Sequence, residues 1–298
     1  MFNEVEISVF KNIGVIGLGN MGRGMALTLN RGGFNVIGTD AMATTREALS
    51  KEGITVKDTI GEVVAACDMV ILSLPTAAIV EDVVAGPNGI IANAKRDVLV
   101  VDTSTSHPDT TRRLAEKLKA AGMQMLDAPV SGGPKGAITG TMAMVIGGSA
   151  EDLARAEPVL AAMTGKRVHV GGTGAGHVAK IANNLFTASH LLVAGEVTRM
   201  AEKAGVPTEQ LLQGINAGSG RSFVTEHNYP TWVMNGKFDS GFTMKLMRKD
   251  VRLSQELISA LGMELPLAGK VAELWAKSSE TIADDEDFNC IVELGTRK

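Results

Sequence analysis

The stretch Asn12-Ile13-Gly14-Val15-Ile16-Gly17-Leu18-Gly19-Asn20-Met21-Gly22 decides the fold of this chain. Asn12 to Ile16 read as a short apolar strand that runs directly into Gly-x-Gly-x-x-Gly, and an Ala- and Leu-rich helix follows to about Arg31. Glycines at this spacing between a strand and a helix form a dinucleotide fingerprint. Gly17 permits the tight turn, Gly19 lets backbone approach a pyrophosphate, and Gly22 lets the helix lie close to the strand. The helix N-terminus then offers its free N–H groups to the phosphates. Gly17, Leu18, Gly19, Asn20, Met21 and Gly22 are therefore expected to bind the cofactor. A second strand, Asn35 to Thr39, ends in Asp40, about 20 residues on. A carboxylate there would accept from both ribose hydroxyls and repel a 2′-phosphate, so NAD is expected before NADP. Asp40 also reads as a turn residue or as a cap for a helix beginning near Thr44.

Outward from this stretch, helices and strands alternate. Thr59 to Ala66 is helical in pattern, Met69 to Leu74 a buried strand and Ala77 to Val84 a helix, with a turn at Pro87-Asn88-Gly89. Val98 to Asp102 is a strand, Pro108 starts a helix ending near Gly122, and Met123 to Asp127 is a strand. Thr141 to Ile146 and Lys166 to Val170 complete the strands, with a helix from Ala150 to Met163 between them. Such alternation predicts an α/β domain, a Rossmann-type doubly wound parallel sheet with helices on both faces. Ligands bind at the C-terminal strand ends of such sheets. That rule places Leu74, Pro75 and Thr105 beside the cofactor, although plain strand-end turns explain them too. The turn Ser131-Gly132-Gly133 offers a hydroxyl and successive N–H groups suited to a carboxylate, or is a bare turn.

From Gly174 the pattern is one long, mostly buried helix, on which Lys180 and Asn184 are four apart and share a face. Lysine on such a helix either snorkels to solvent or has a purpose. After Ala204 the pattern is helical to the end, with breaks near Gly205-Val206-Pro207, Gly218-Ser219-Gly220 and Gly262 to Pro266. The expected organisation is a dinucleotide-binding domain over residues 1–173 and an all-α domain over 174–298, which begins with the long linking helix. Lys245, Arg248 and Lys249 read from spacing as a solvated basic face, alone or paired to acids, before a reading in which Lys249 reaches back to a cofactor or active site, and the acidic run Asp284 to Asp287 reads as solvent-facing.

The composition narrows the functional classes. At 298 residues, 45% hydrophobic and 21% charged, the chain suits two globular domains. A net charge of −4 with scattered Lys and Arg leaves no footprint for nucleic acid. Cys67 and Cys290 lie in no metal-type spacing and fit a reducing compartment, and the five histidines form no ligand set, so no metal is expected. No apolar run approaches the ~18 residues of a membrane span. Glu4 and Glu6 are unlike a signal peptide, and residues 1 to 11 read as a short extension. The expectation is a cytoplasmic protein with no membrane partner. The Met-rich helical half offers apolar surface for a homo-oligomer, a dimer or tetramer.

With these residues in hand, the sequence resembles the β-hydroxyacid dehydrogenase family, the 3-hydroxyisobutyrate dehydrogenase-like enzymes, from Gly14 to about Phe288. Four blocks carry the resemblance: Gly-Val-Ile-Gly-Leu-Gly-Asn-Met-Gly from 14, Asp-Ala-Pro-Val-Ser-Gly-Gly from 127, Gly-x-Gly-x-x-x-Lys-x-x-x-Asn from 174, and Lys249-Asp250. The resemblance implies that Lys180 is catalytic, that Ser131, Gly132 and Gly133 bind a substrate carboxylate, and that Asn184 orients the substrate. It also implies that Lys249 contacts the cofactor side, against the reading from spacing. Where many relatives carry a polar side chain after Leu-Pro, this chain has Ala77-Ala78-Ile79.

The implied reaction is reversible hydride transfer between NAD and a short β-hydroxy acid or its semialdehyde. Relatives act on 3-hydroxyisobutyrate, tartronate semialdehyde and glycerate, threonate, 4-hydroxybutyrate or sulfolactaldehyde. A lysine base titrates near about 10.4 when free, so its use requires burial or a nearby cation. The rival readings are an imine reductase-like NAD(P)H enzyme, a group that usually lacks lysine at this position, a decarboxylating phosphogluconate-type dehydrogenase, a much longer kind of chain with a further phosphate-binding set, and a non-catalytic NAD-binding sensor. A sensor would have no use for Lys180 or Ser131.

Overall fold

In the computed structural model, residues 10–94 and 97–297 are described. Of the expected N-terminal extension, residues 1–9 lie outside them, Glu4 and Glu6 included. The chain divides into two units, Met1–Lys180 and Ile181–Lys298.

The first unit runs β1 (Asn12–Ile16), α1 (Asn20–Arg31), β2 (Asn35–Thr39), α2 (Ala43–Lys51), β3 (Thr55–Val56), α3 (Ile60–Ala66), β4 (Met69–Leu72), α4 (Ala77–Ala85) and α5 (Ile90–Asn93). It continues with β5 (Leu99–Asp102), α6 (Pro108–Ala120), β6 (Gln124–Asp127), β7 (Val130–Ser131), α7 (Gly133–Thr139), β8 (Met142–Gly147), α8 (Ala150–Met163) and β9 (Thr164–Gly171). Among the described residues the strands lie in the order β3-β2-β1-β4-β5-β6-β8-β7, with β9 on β8. The first six form the parallel 3-2-1-4-5-6 array of a Rossmann fold.

Strands buried on both faces read as continuous apolar runs, and each face takes alternate residues. Ile13, Val15, Met69, Ile71, Leu99 and Val101 pack with Met25 and Leu29 of α1 and Val159 and Leu160 of α8. Ile16, Val70, Leu72 and Val100 face the other way, onto Val63 of α3, Val84 of α4 and Leu114 of α6.

The register of this sheet places the loops. Thr39, Ile16, Leu72, Asp102 and Asp127 are successive cross-strand partners in one row. The residues after each of them begin the turns at one edge of the sheet, so five strand ends that are distant in sequence open side by side.

The far edge departs from the expected all-parallel sheet. β8 runs antiparallel to both β6 and β7, and β9 runs parallel to β8. Residues 132–141 connect β7 to β8, and they are fewer than the dozen or more that a parallel crossover requires. The short α7 within them ends at Gly140, left-handed at φ 71°, and the chain turns back beside the strand it left. As a result β6 and β7 both lie along β8, and Asp127 and Ser131 belong to one bent run of chain.

In the second unit, α9 (Ala175–Lys203) continues past the division, followed by α10 (Thr208–Ala217), a π-helical segment (Val224–Val233), α11 (Met244–Ala260) and α12 (Pro266–Lys277). The segment before Gly205-Val206-Pro207 ends with Gly205 at φ 86°, and Pro266 begins α12, where its missing N–H is harmless. Pro230 sits in the π-helical segment, where Met234 N–H reaches back to Tyr229 O at 2.9 Å. Leu191, Met247, Val251, Trp275 and Ile291 form the core, and the buried Trp275 indole donates to Ala188 O at 3.2 Å. The one strand-like contact in this unit among the described residues is the isolated bridge Thr243–Asp287. No described helix is long and apolar enough to cross a membrane.

Candidate active site

The glycine turn is built from two closed positions and one open one. Gly17 has φ 91°, and a Cβ there would stand 2.3 Å from Ser73 O. At Gly22 a Cβ would stand 1.8 Å from Gly17 O, so helix and turn touch backbone to backbone. At Gly19 a Cβ would meet nothing within 4 Å. Gly19 is also the N-cap of α1, with no side chain capping the helix and no acid in its first turn. Open space before uncapped N–H groups at the positive end of a 12-residue helix fits the pyrophosphate of a dinucleotide. Asn20 is exposed and Met21 half-buried at this turn.

Asp40 holds the turn from the next strand end. Its Oδ2 accepts from Leu18 N–H at 2.7 Å, and its Oδ1 accepts from Met42 N–H at 2.8 Å. The turn-residue reading is thus correct, and each oxygen keeps a further lone pair for a hydroxyl donor. Arg46 donates to Asp40 O at 2.7 Å and to Asp58 Oδ1 at 3.0 Å. At the ends of β4 and β5, Leu74 N–H donates to Ser104 Oγ at 3.0 Å, which joins the two turns expected beside the cofactor. Pro75 is exposed and Thr105 half-buried there.

The next strand end carries a buried polar cluster. Asp127 is fully buried and caps α9: its Oδ1 accepts from Gly174 N–H at 2.7 Å and its Oδ2 from His177 N–H at 2.9 Å. Burial pushes its carboxyl above the usual carboxylate range, opposed by the neighbouring His177 and by the two N–H donors. Space for this carboxylate comes from two glycines. A Cβ at Gly147 would lie 2.6 Å from Asp127 Oδ1, and one at Gly176 would lie 2.4 Å from Asp127 O.

Lys180, at 8% exposure, is buried rather than snorkelling. Its Nζ donates to Ser131 Oγ at 2.9 Å. The structure therefore brings together the residue expected to be catalytic and the first residue of the expected carboxylate turn. Gly132 and Gly133 follow with φ 122° and 62°, values that an L side chain rarely adopts, so the turn depends on both glycines.

Asn184 and Lys249 are described within the second unit. Asn184 Nδ2 donates to Asp250 Oδ2 at 2.5 Å, and Lys249 Nζ pairs with Asp250 Oδ1 at 3.1 Å. The solvated basic face read from spacing is corrected here. Lys249 is half-buried against Asp250, and Arg248 binds Ser278 Oγ, Ile282 O and Asp284, which leaves Lys245 alone of the three exposed. The acidic run is likewise split: Asp284 is exposed, whereas Asp287 is buried and accepts from Ser240.

Three side chains at these sites escaped the sequence reading. Asp250 and Asp127 each stand in a quoted block, but their roles depend on partners far along the chain. His177 is one of the five histidines that form no ligand set, and its neighbours in sequence give no other sign of a role. Among the described residues no group of three or more His, Cys, Asp or Glu could hold a metal ion.

Comparison with known proteins agrees along nearly the whole chain. A family model for the NAD binding domain of 6-phosphogluconate dehydrogenase matches residues 12–172. A second, described as NAD-binding of NADP-dependent 3-hydroxyisobutyrate dehydrogenase, matches residues 174–294. The chain is 33% identical to a 2-(hydroxymethyl)glutarate dehydrogenase of Eubacterium barkeri, over 95% of this chain and 94% of that one. It is 35% identical to a probable 3-hydroxyisobutyrate dehydrogenase of Mycobacterium bovis, over 94% and 96%. A solved structure of 3-hydroxyisobutyrate dehydrogenase from Mycobacterium tuberculosis with L-serine superposes with a TM-score of 0.89 at 34% identity, covering 96% of this chain and 99% of that one.

Proposed function

This chain belongs to the β-hydroxyacid dehydrogenase family, whose members are nicotinamide-dependent oxidoreductases acting on CH–OH groups, and from that premise we propose that it transfers a hydride between NAD and a short β-hydroxy acid or its semialdehyde, with Lys180 as general acid and base. The observation that carries this reading is the 2.9 Å hydrogen bond from Lys180 Nζ to Ser131 Oγ. An amine and a carboxylate-binding turn in contact are what a proton transfer beside an anchored acid needs.

Bound nicotinamide supplies the hydride acceptor in oxidation and the donor in reduction. The backbone from Gly17 to Gly22 holds the phosphates, and Asp40 takes the adenosine ribose hydroxyls and disfavours a 2′-phosphate. Ser131 Oγ accepts from Lys180, which leaves its own O–H free to donate to the substrate carboxylate beside the N–H groups of Gly132 and Gly133. Lys180 takes the proton from the substrate hydroxyl in oxidation and returns it in reduction. A misplacement of about 1 Å at such a centre costs on the order of 100-fold in rate, so the clamp on the carboxylate matters as much as the amine. Substrate orientation by Asn184 and a cofactor-side contact by Lys249 belong to the same proposal, supported by their common attachment to Asp250.

The test is a panel of β-hydroxy acids, L-serine included, mixed with NAD or NADP while absorbance near 340 nm is followed, with Lys180→Ala run in parallel. The expected result is turnover on at least one acid, preference for NAD, and loss of several orders of magnitude in turnover in the variant with NAD affinity kept. Tight NAD binding with silence across the panel would favour a sensor instead.

A further inference from the structure

We propose that His177 is a positioning residue, which fastens the start of α9, and with it Lys180, to the turns at the ends of β4 and β5; the inference rests on the reading in which Lys180 acts. His177 is fully buried and its polar atoms are committed to three separate elements. Its Nε2 meets Ser104 O at 3.0 Å. A carbonyl oxygen only accepts, so Nε2 carries the hydrogen and donates. Nδ1 of the neutral ring then accepts from Thr111 Oγ1, 2.7 Å away on α6. The backbone N–H of His177 goes to Asp127 at the end of β6.

Ser104 passes the connection on. Its N–H donates to Asp102 Oδ1 at 3.0 Å, and its Oγ receives Leu74 N–H at 3.0 Å. One imidazole therefore joins α6, the β5 turn and, through Ser104, the β4 turn, while its own backbone is held by β6. Lys180 follows three positions later, nearly one helical turn on. Two fully buried carboxylates face the ring: Asp102 Oδ2 stands 3.8 Å from Nε2, and Asp127 Oδ2 stands 4.0 Å from Nδ1.

A histidine that merely filled space would leave its partners unrelated to the site. Here one ring nitrogen reaches the residue that holds the candidate cofactor turns, the other is anchored on α6, and the ring sits on the helix that holds the candidate acid–base group. Removing the ring's nitrogens while keeping its bulk should loosen the turns and let the amine drift, with the phosphate-binding glycines left as they are.

The experiment compares His177→Phe, His177→Gln and Thr111→Val in the full chain by two measurements. The first is amide hydrogen exchange without cofactor, in peptides covering Leu74 and residues 174–184. The second is steady-state kinetics with NAD affinity measured separately. In His177→Phe, exchange in both peptides should rise at least about tenfold and kcat fall about 10- to 100-fold, while the acid's KM and the NAD Kd stay within about threefold. His177→Gln, whose amide still offers a donor toward Ser104 O, should recover most of kcat, and Thr111→Val should fall between. Unchanged exchange at Leu74 in His177→Phe, or a kcat loss that glutamine does not relieve, overturns the proposal. If His177→Phe does not fold, wild-type exchange and kcat in Thr111→Val overturn it equally. Lys180→Ala run alongside separates the two ideas. Normal turnover there removes the dehydrogenase mechanism, while the exchange data still decide whether His177 holds the turns.

Discussion

Lys180 Nζ and Ser131 Oγ, 49 positions apart in the chain, are joined by a 2.9 Å hydrogen bond. Each side of that bond has a different expected loss. Ser131→Ala removes a hydroxyl proposed to donate to a carboxylate, an interaction worth about 1.5–3 kcal/mol, so kcat/KM should fall roughly 10- to 150-fold, mostly through KM. Lys180→Ala should act on kcat. Initial-rate kinetics on both variants check this split, and equal effects on kcat would mean that Ser131 serves Lys180 rather than the substrate.

The glycine turn predicts opposite outcomes for one kind of substitution. Gly22→Ala drives a Cβ to 1.8 Å from Gly17 O, and relief by backbone shift should cost about 1–3 kcal/mol, read as a drop in Tm. Gly19→Ala meets open space and a compatible φ of −62°, so stability should stay within about 0.5 kcal/mol of the parent. That same methyl would stand where a pyrophosphate is expected, and the NAD Kd should rise at least about tenfold.

Asp40 sets the expected cofactor choice. A carboxylate about 4 Å from a phosphate charge costs on the order of 4 kcal/mol at an effective dielectric of about 20. Asp40→Asn should therefore shift the NAD-to-NADP ratio of kcat/KM at least about tenfold toward NADP, while the amide oxygen can still accept one of the two N–H groups now held by the carboxylate. An unchanged ratio would mean that discrimination lies elsewhere.

The two thiols should be silent in the native protein. Burial disfavours the thiolate and pushes Cys67 up to about 12, with Asp68 adding to the shift, and burial pushes Cys290 to about 11. At pH 8 the thiolate fraction is then about 1 in 10,000 and about 1 in 1,000, so a disulfide reagent should label neither until denaturant is added, when both react. The sign for stability follows. A folded-state value raised above 9.0 leaves the fold unaffected below that pH and costs it stability as pH rises toward about 12, as the unfolded thiol ionises first.

The parts that could be read in the sequence are those written in local pattern. Ile13 to Ile16 and Met69 to Leu72 announce buried strands because both of their faces are covered, and Gly17 and Gly22 announce their turn because its geometry tolerates little else. Ala150–Met163 was legible because Ser149 caps it and its apolar positions recur at helical spacing. The two-residue β3 and the short α5 and α7 were not, because too few residues are present to show a period. The reversal at β8 depends on connection length, which periodicity does not report. His177 meets Ser104 O across 73 positions and Asp127 meets Gly174 across 47, and nothing local to either residue marks those encounters. Lys249 misled for the same reason. Its neighbours Lys245 and Arg248 suggest a wet face, and only the fold reveals the carboxylate that draws it inward.

Gly-x-Gly opens a helix twice in this chain, at 17–19 and at 174–176, and the two are electrostatic twins with different tenants. The second has a permanent lodger, since Asp127 brings a negative charge from the protein's own sheet into the seat that a phosphate would otherwise occupy. At the first no side chain caps the helix and no acid stands in its first turn, so its N–H groups are left to a ligand from outside the chain. Replacing Asp127 by a neutral residue would therefore strip the charge from the cap of the very helix that carries Lys180, three positions beyond His177.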